Sequence, residues 1–251
     1  MGTQKLIFHD QMGRSVEINF PPRRVISLVP SITELLIDMG VDVVGRTKFC
    51  IHPEDKATSI PIVGGTKNFR FEVIDDLKPD LIVGNKEENY KEGITRLSER
   101  YPVWMSDITQ LNEGLEMIGM LAEVTNMEAE GDLIRTQLVA KLNGLQNSRS
   151  GSVLYMIWKK PWMAAGRDTY VHHFLEHLGY RNVVQAARYP ELSESDIADL
   201  SPDHILLSSE PYPFQEGDRE ALQAVFPTSS IELVDGEPYS WYGSRLLRVD
   251  P

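Results

Sequence analysis

The chain is poor in the groups that several classes of function require. Cys50 is the only cysteine in 251 residues, so no internal disulfide forms and neither redox compartment is demanded. No apolar run is long enough to span a membrane; the longest, such as residues 81–84, are strand-sized. Met1-Gly2-Thr3-Gln4-Lys5 leads into no apolar h-region, so no signal peptide is visible. Basic residues number 25 against 37 acidic, a net charge of −12. Nucleic acid and anionic membrane both need clustered Lys and Arg, so neither is expected as a partner. There is no GxSxG, no P-loop and no GxGxxG after a strand, and no acid–base–metal constellation, which argues against an enzyme.

What is present is an α/β grammar. Hydrophobic residues make up 41% of the chain, enough for a core. Residues 6–8 and 16–20 are β-prone and flank a Gly-containing turn, a hairpin pattern. Arg24-Val-Ile-Ser-Leu-Val29 is a buried strand, followed by a helix over residues 32–39 that Ser31 and Glu34 are placed to cap and that Gly40 ends. Strands at 43–46, 81–84 and 102–105 alternate with helices at 71–77 and 94–100, the pattern of a parallel sheet. From 109 to 145 there is no proline, and two helices are expected. The second opens at a Thr125-x-x-Glu128 capping box and carries Leu133, Ile134, Leu138 and Leu142 at helical spacing. The α/β pattern then restarts, with a strand over 152–158 and helices over 169–178 and 194–200.

One echo organises the whole. Leu77-Lys-Pro-Asp-Leu-Ile82 recurs as Leu200-Ser-Pro-Asp-His-Ile205, placing a helix end and a strand start alike in each half. The expected organisation is an N-terminal β-hairpin (1–22), an α/β lobe (23–108), a helical linker with a long backbone helix (109–147) and a second α/β lobe (148–251). The fold class is α/β: two Rossmann-like lobes with central parallel sheets, joined by a long helix, with a ligand cleft between them.

In such sheets ligands sit beyond the carboxyl ends of the strands. The loops at those positions carry Phe49, Lys67, Asn85 and Lys86 in the first half. In the second they carry Trp158, Trp162, Tyr189, Trp241, Tyr242 and Arg245. Three of the four tryptophans lie in these loops, a composition suited to a large, flat, amphipathic ligand. Arg245, flanked by Trp241 and Tyr242, is placed to stack on a ring. His173 and His177 stand i, i+4, but no HExxH pattern or third ligand accompanies them, so no metal is assigned to protein side chains.

Arg24-Val-Ile-Ser-Leu-x-Pro-Ser-x-Thr-Glu34, Val63-Gly-Gly-Thr66, the two L-x-P-D segments and Ala165-Gly166 together resemble the solute-binding proteins of ABC importers that have a helical backbone. Among these, the branch that binds cobalamin is most similar. The resemblance implies a non-enzymatic binding protein that captures cobalamin or a ferric siderophore-like chelate, without a covalent cofactor, and delivers it to permease subunits as a monomer. It matches Phe49, Tyr189 and the Trp241 region to positions that contact a corrinoid, and Glu72 and Glu194 to acidic residues that dock on the transporter. A periplasmic or cell-surface location follows from the resemblance, while the lack of a visible signal peptide leaves the cytoplasm open. An intracellular corrinoid- or metallophore-binding protein is the alternative, and a metal-insertion type of enzyme on a similar scaffold a third reading.

Overall fold

The computed structural model describes residues 4–251; the first three residues, which the expected hairpin segment 1–22 and the stretch read for a signal peptide include, lie outside the described residues. The chain divides into two compact units. The first takes in the chain up to Asp107, Asn112–Leu138 and Tyr242–Arg245; the second takes in Ile108–Leu111, Val139–Trp241 and Leu246–Pro251.

The first unit begins with an antiparallel hairpin, β1 (Gln4–His9) and β2 (Ser15–Phe20), in which Val16 and Ile18 face inward. There follow β3 (Val25–Ser27), α1 (Pro30–Asp38), β4 (Val43–Arg46), α2 (Glu54–Ala57), and a small ladder of β5 (Gly64–Gly65) and β6 (Asn68–Phe69). Next come α3 (Phe71–Leu77), β7 (Leu81–Asn85), α4 (Lys91–Ser98) and β8 (Val103–Ser106). A four-stranded parallel sheet runs in the order β4-β3-β7-β8. Its strands are buried on both faces and apolar until their carboxyl ends, which carry Ser27, Arg46, Asn85 and Ser106. Ile26, Ile82 and Met105 from the strands pack with Ile74, Ile94 and Leu97 from the helices. The hairpin tip guards the sheet edge: Gln11 N donates to Met105 O at 3.1 Å, and Asp10 Oδ2 accepts from Met105 N at 3.2 Å.

Two helices follow, α5 (Leu111–Thr125) and α6 (Glu128–Leu145), and the division between units falls within α6, after Leu138. The second unit holds β9 (Ser152–Trp158), β10 (Trp162–Ala164), α7 (Tyr170–Leu178), β11 (Arg181–Asn182), β12 (Glu191–Leu192), α8 (Glu194–Leu200) and β13 (His204–Ser208). It closes with α9 (Glu216–Val225), β14 (Ser230–Val234), α10 (Glu237–Ser240) and a 3-10 turn at Ser244–Leu247. Its sheet order is β12-β10-β9-β13-β14, with β11 beside β9. The strands β9, β11, β13 and β14 are parallel, while β10 and β12 extend the sheet antiparallel through the short β9–β10 hairpin.

The repeated L-x-P-D segment does the same work in both units. Its second residue ends the helix in the left-handed region, at Lys78 (φ 46°) and Ser201 (φ 43°). The proline then blocks further helix, and the aspartate ties down the start of a neighbouring strand. Asp80 accepts from the backbone N–H groups of Arg23 (2.9 Å) and Arg24 (2.8 Å). Asp203 accepts from both the backbone N–H (2.7 Å) and the hydroxyl (2.6 Å) of Ser152.

Several local expectations are corrected. Helix α1 starts at Pro30, whose missing N–H is harmless in a first turn, so Ser31 lies inside the helix and caps nothing. Glu34 is fully buried and faces Arg245 instead of reaching back to a cap. Thr125 is the last residue of α5, its hydroxyl bonded to Leu121 O at 2.7 Å, and Asn126 (φ 60°) breaks the helix before α6 begins. Along α6 the buried line is Ile134, Leu138 and Leu142; Leu133, one residue off that line, is 59% exposed.

Candidate functional site

In the first unit the carboxyl ends of the strands carry a buried polar floor. Thr33 Oγ1 lies 2.8 Å from Ser27 Oγ and 3.0 Å from Cys50 Sγ, and Thr47 Oγ1 lies 3.1 Å from the same sulfur. Burial pushes the Cys50 thiol up from its ordinary value, the two threonine hydroxyls only partly offsetting it. Arg46, also buried, donates from Nε to Ala57 O and from Nη1 to Thr47 O, fastening both ends of the loop after β4. That loop presents Phe49, half-exposed at 50%, with the Lys48 ammonium 4.8 Å from its ring centre and Ile51 exposed beyond it.

The loop after β7 is built differently from expectation. Asn85 is 1% exposed. Its Oδ1 accepts from the N–H groups of Glu87 (2.8 Å) and Glu88 (3.0 Å), and its Nδ2 donates to Ser106 Oγ (3.0 Å). It folds the turn, and no polar atom of its side chain is left to offer a ligand. Asn89 seconds it, accepting from Asn85 N and donating to Leu28 O and Thr66 O. Lys67 and Lys86 are exposed; Lys67 Nζ donates to Glu87 O at 2.6 Å, and Lys86 pairs with Asp107 at 2.5 Å.

In the second unit the matching end is aromatic. Trp158, 38% exposed, meets Tyr212 edge-on at 5.6 Å, Tyr212 meets Phe214 at 4.8 Å, and Trp162 stacks on Phe214 with an interplanar angle of 5°. Lys159 Nζ sits 5.5 Å from the Trp162 ring and is paired with Asp218, whose carboxyl it helps hold below the usual range against the opposing effect of burial. Tyr189 is half-buried with the Arg188 guanidinium 5.5 Å from its ring.

The last loop is corrected most. Tyr239 packs against Tyr155 and Phe174 in the core, and Tyr242 is buried in the first unit. Trp241 is 8% exposed, its Nε1 donating to Glu210 Oε1 at 2.8 Å; Ser240 Oγ donates to the same oxygen at 2.9 Å. Arg245 faces Glu34 at 3.4 Å, and Ser244 Oγ donates to Asp38 Oδ2 at 2.5 Å, so this segment is fastened to α1. Glu210, in the loop just beyond β13, is not among the site candidates read from the sequence. Burial raises its pKa, the two donors only partly opposing that, and the carboxylates of Glu237 and Asp235 add to the rise.

Glu72 and Glu194 are exposed in the first turns of α3 and α8, the two helices that end in L-x-P-D. Among the described residues the one group able to gather around a metal is His172, His173 and Glu176 on α7. Its chemistry is poor for that purpose. Asn182 Nδ2 donates to Ala165 O (2.9 Å) and lies 3.2 Å from His172 Nδ1, while its Oδ1 accepts from Val184 N (3.0 Å). The amide orientation is thereby set, His172 Nδ1 accepts, and the ring proton sits on Nε2, the nitrogen that faces Glu176 at 3.5 Å. His177, the other member of the expected pair, is bonded to Leu142 O at 2.8 Å.

Residues 25–226 match the family described as periplasmic binding protein. An ABC transporter substrate-binding lipoprotein of Bacillus subtilis is 23% identical over 218 residues, 78% of this chain and 67% of its own length. A vitamin B12-binding protein of Salmonella typhimurium is 24% identical over 194 residues, 74% of this chain and 72% of that one. Among solved structures, the periplasmic vitamin B12-binding protein of Vibrio cholerae superposes with a TM-score of 0.77 at 19% identity, over 90% of this chain and 93% of that one. A periplasmic heme-binding protein of Pseudomonas aeruginosa gives 0.78 at 20% identity, over 90% and 88%. No helix of the described residues is long and apolar enough to cross a membrane.

Proposed function

The chain belongs to the periplasmic binding protein family, whose members are binding proteins and not enzymes, and on that premise we propose that it captures cobalamin or a ferric siderophore-like chelate and delivers it to an ABC permease. The observation that carries this reading is the exposed aromatic surface at the carboxyl strand ends of each unit: Phe49 in the first, Trp158 with Tyr212 in the second. A rigid ring leaves water for such a surface with little conformational entropy lost on either side. A vitamin B12-binding and a ferric-citrate-binding relative, and a structural neighbour that binds heme, support a metal chelate as the ligand. The protein acts as a monomer that meets the permease through Glu72 and Glu194.

Titration of the purified protein with cyanocobalamin, hemin and ferric citrate, followed by tryptophan quenching and ligand absorbance, tests the reading. Micromolar or tighter binding of at least one is expected, and no binding of any would sink it. Replacing Glu72 and Glu194 by alanine is expected to leave that affinity unchanged while abolishing stimulation of the permease ATPase.

A further inference from the structure

Glu210 stands directly beyond β13, at the strand end where the proposed function places ligand, and its two oxygens are used unequally. Oε1 takes both side-chain donors, Trp241 Nε1 at 2.8 Å and Ser240 Oγ at 2.9 Å. The backbone beneath is fixed as well: Ser208 Oγ donates to Glu210 O at 2.6 Å, and Glu210 N donates to Ser208 Oγ at 3.2 Å. Gly236 allows this packing, since a Cβ there would come within 2.7 Å of Glu210 Cγ and 2.4 Å of Ser208 Oγ. The carboxyl is therefore held in one orientation. Oε2 has no partner among the described residues and is not sealed from solvent.

We propose that Glu210 is a specificity-determining residue whose Oε2 receives a hydrogen-bond donor of the ligand, such as a carboxamide N–H or an ammonium group, and turns away a carboxylate at that point. This rests on the binding function proposed above. A largely buried carboxylate with no cation paired to it gains most from an arriving donor, because charge-assisted hydrogen bonds are strong where water is scarce. An arriving carboxylate instead meets Glu210 and the further negative charges of Asp235 and Glu237 in the same half-desolvated corner.

Glu210→Gln separates the roles. Glutamine keeps an oxygen for Trp241 and Ser240 but puts an amide donor where Oε2 stood. The probes are cyanocobalamin, whose rim bears carboxamides, and hemin, whose rim bears carboxylates. Both affinities are read by tryptophan quenching, with the melting temperature and the emission maximum of the free protein checking that the fold is kept. The ratio of cyanocobalamin to hemin affinity is expected to fall by about 10-fold or more in the variant, the scale of one charge-assisted hydrogen bond. An unchanged ratio with both probes bound overturns the inference alone. So does wild-type binding of hemin only, with an affinity that Glu210→Gln leaves unaltered. Failure of the wild type to bind either probe or ferric citrate overturns the proposed function and this inference with it.

Discussion

Asp80 and Asp203 are counterparts: each follows a left-handed helix end and a proline, and each closes its carboxylate on the start of a strand in its own unit, Asp80 on the two residues that lead into β3 and Asp203 on the first residue of β9. Removing either side chain leaves backbone donors without an acceptor. Asp80→Ala and Asp203→Ala are each expected to lower the midpoint of urea unfolding. The bonds from Ser152 lower the pKa of Asp203, so its ionised form is favoured by folding. That contribution is present above the pKa of the unfolded chain and is lost as pH falls through the lower folded value. Asp203→Asn should therefore flatten the acid limb of the stability curve, and an acid limb identical to that of the wild type would contradict the assignment.

The residues that precede the two prolines carry a cost that glycine would remove. Lys78 and Ser201 both hold φ near +45°, where a Cβ is crowded against the following backbone. Each ends a helix through a backbone bond, Lys78 N to Asp75 O and Ser201 N to Ala198 O, that needs no side chain. Lys78→Gly and Ser201→Gly are expected to raise stability by up to about 1 kcal/mol, the relief at the C-terminal position outweighing the added freedom of the unfolded chain. Thermal melts of the two single variants and the double variant would show it, and the shifts should add because the sites lie in separate units.

Glu210 sets a second pH dependence, of opposite sign. Its folded pKa lies above the ordinary carboxylate value, chiefly through burial, so folding favours the protonated form. The stability it contributes is complete below the unfolded pKa and is lost as pH rises through the folded one. Glu210→Gln is expected to remove this loss and to melt no lower than the wild type at neutral pH. Glu210→Ala strips Trp241 and Ser240 of their acceptor and should melt lower at every pH. A pH profile of Glu210→Gln parallel to that of the wild type across the weakly acidic range would refute the argument.

How much of this was legible in the sequence depended on whether the deciding force was local. The bounds of α3, α8 and β9 follow from proline, left-handed turns and apolar runs, all local, and the chain observes them. The Ser31–Glu34 pattern misled because Glu34 is claimed by Arg245, a partner 211 residues away, and because Pro30 already opens the helix. Asn85 misled for the same reason: a polar residue at a strand end looks the same in sequence whether it faces a ligand or folds its own turn. Among the aromatics of the loops, composition cannot distinguish a ring that closes a core from one that faces outward. Tyr239, Trp241 and Tyr242 went inward and Phe49 and Trp158 did not, a choice made by packing partners such as Tyr155 and Glu210.

That split between inward and outward rings yields the sharpest separation of binding from folding. Phe49 is 50% and Trp158 38% exposed, so Phe49→Ala and Trp158→Ala remove only part of a side chain's buried area and should cost less than truncation of a core ring, about 1–3 kcal/mol. If they face ligand, each should weaken binding of the probe that the wild type takes up by about 10-fold, the scale of one stacked aromatic contact together with the area it covers. Tyr239 lies in the core against Tyr155 and Phe174, and Tyr239→Ala should cost about 3–5 kcal/mol. A milder change, Tyr239→Phe, should leave ligand affinity where it was, since the ring stays in place and only a buried hydroxyl is lost. Should Phe49→Ala and Trp158→Ala both bind the ligand as tightly as the wild type does, the aromatic surfaces are not where it rests, and the strand-end assignment fails even if the protein binds a chelate elsewhere.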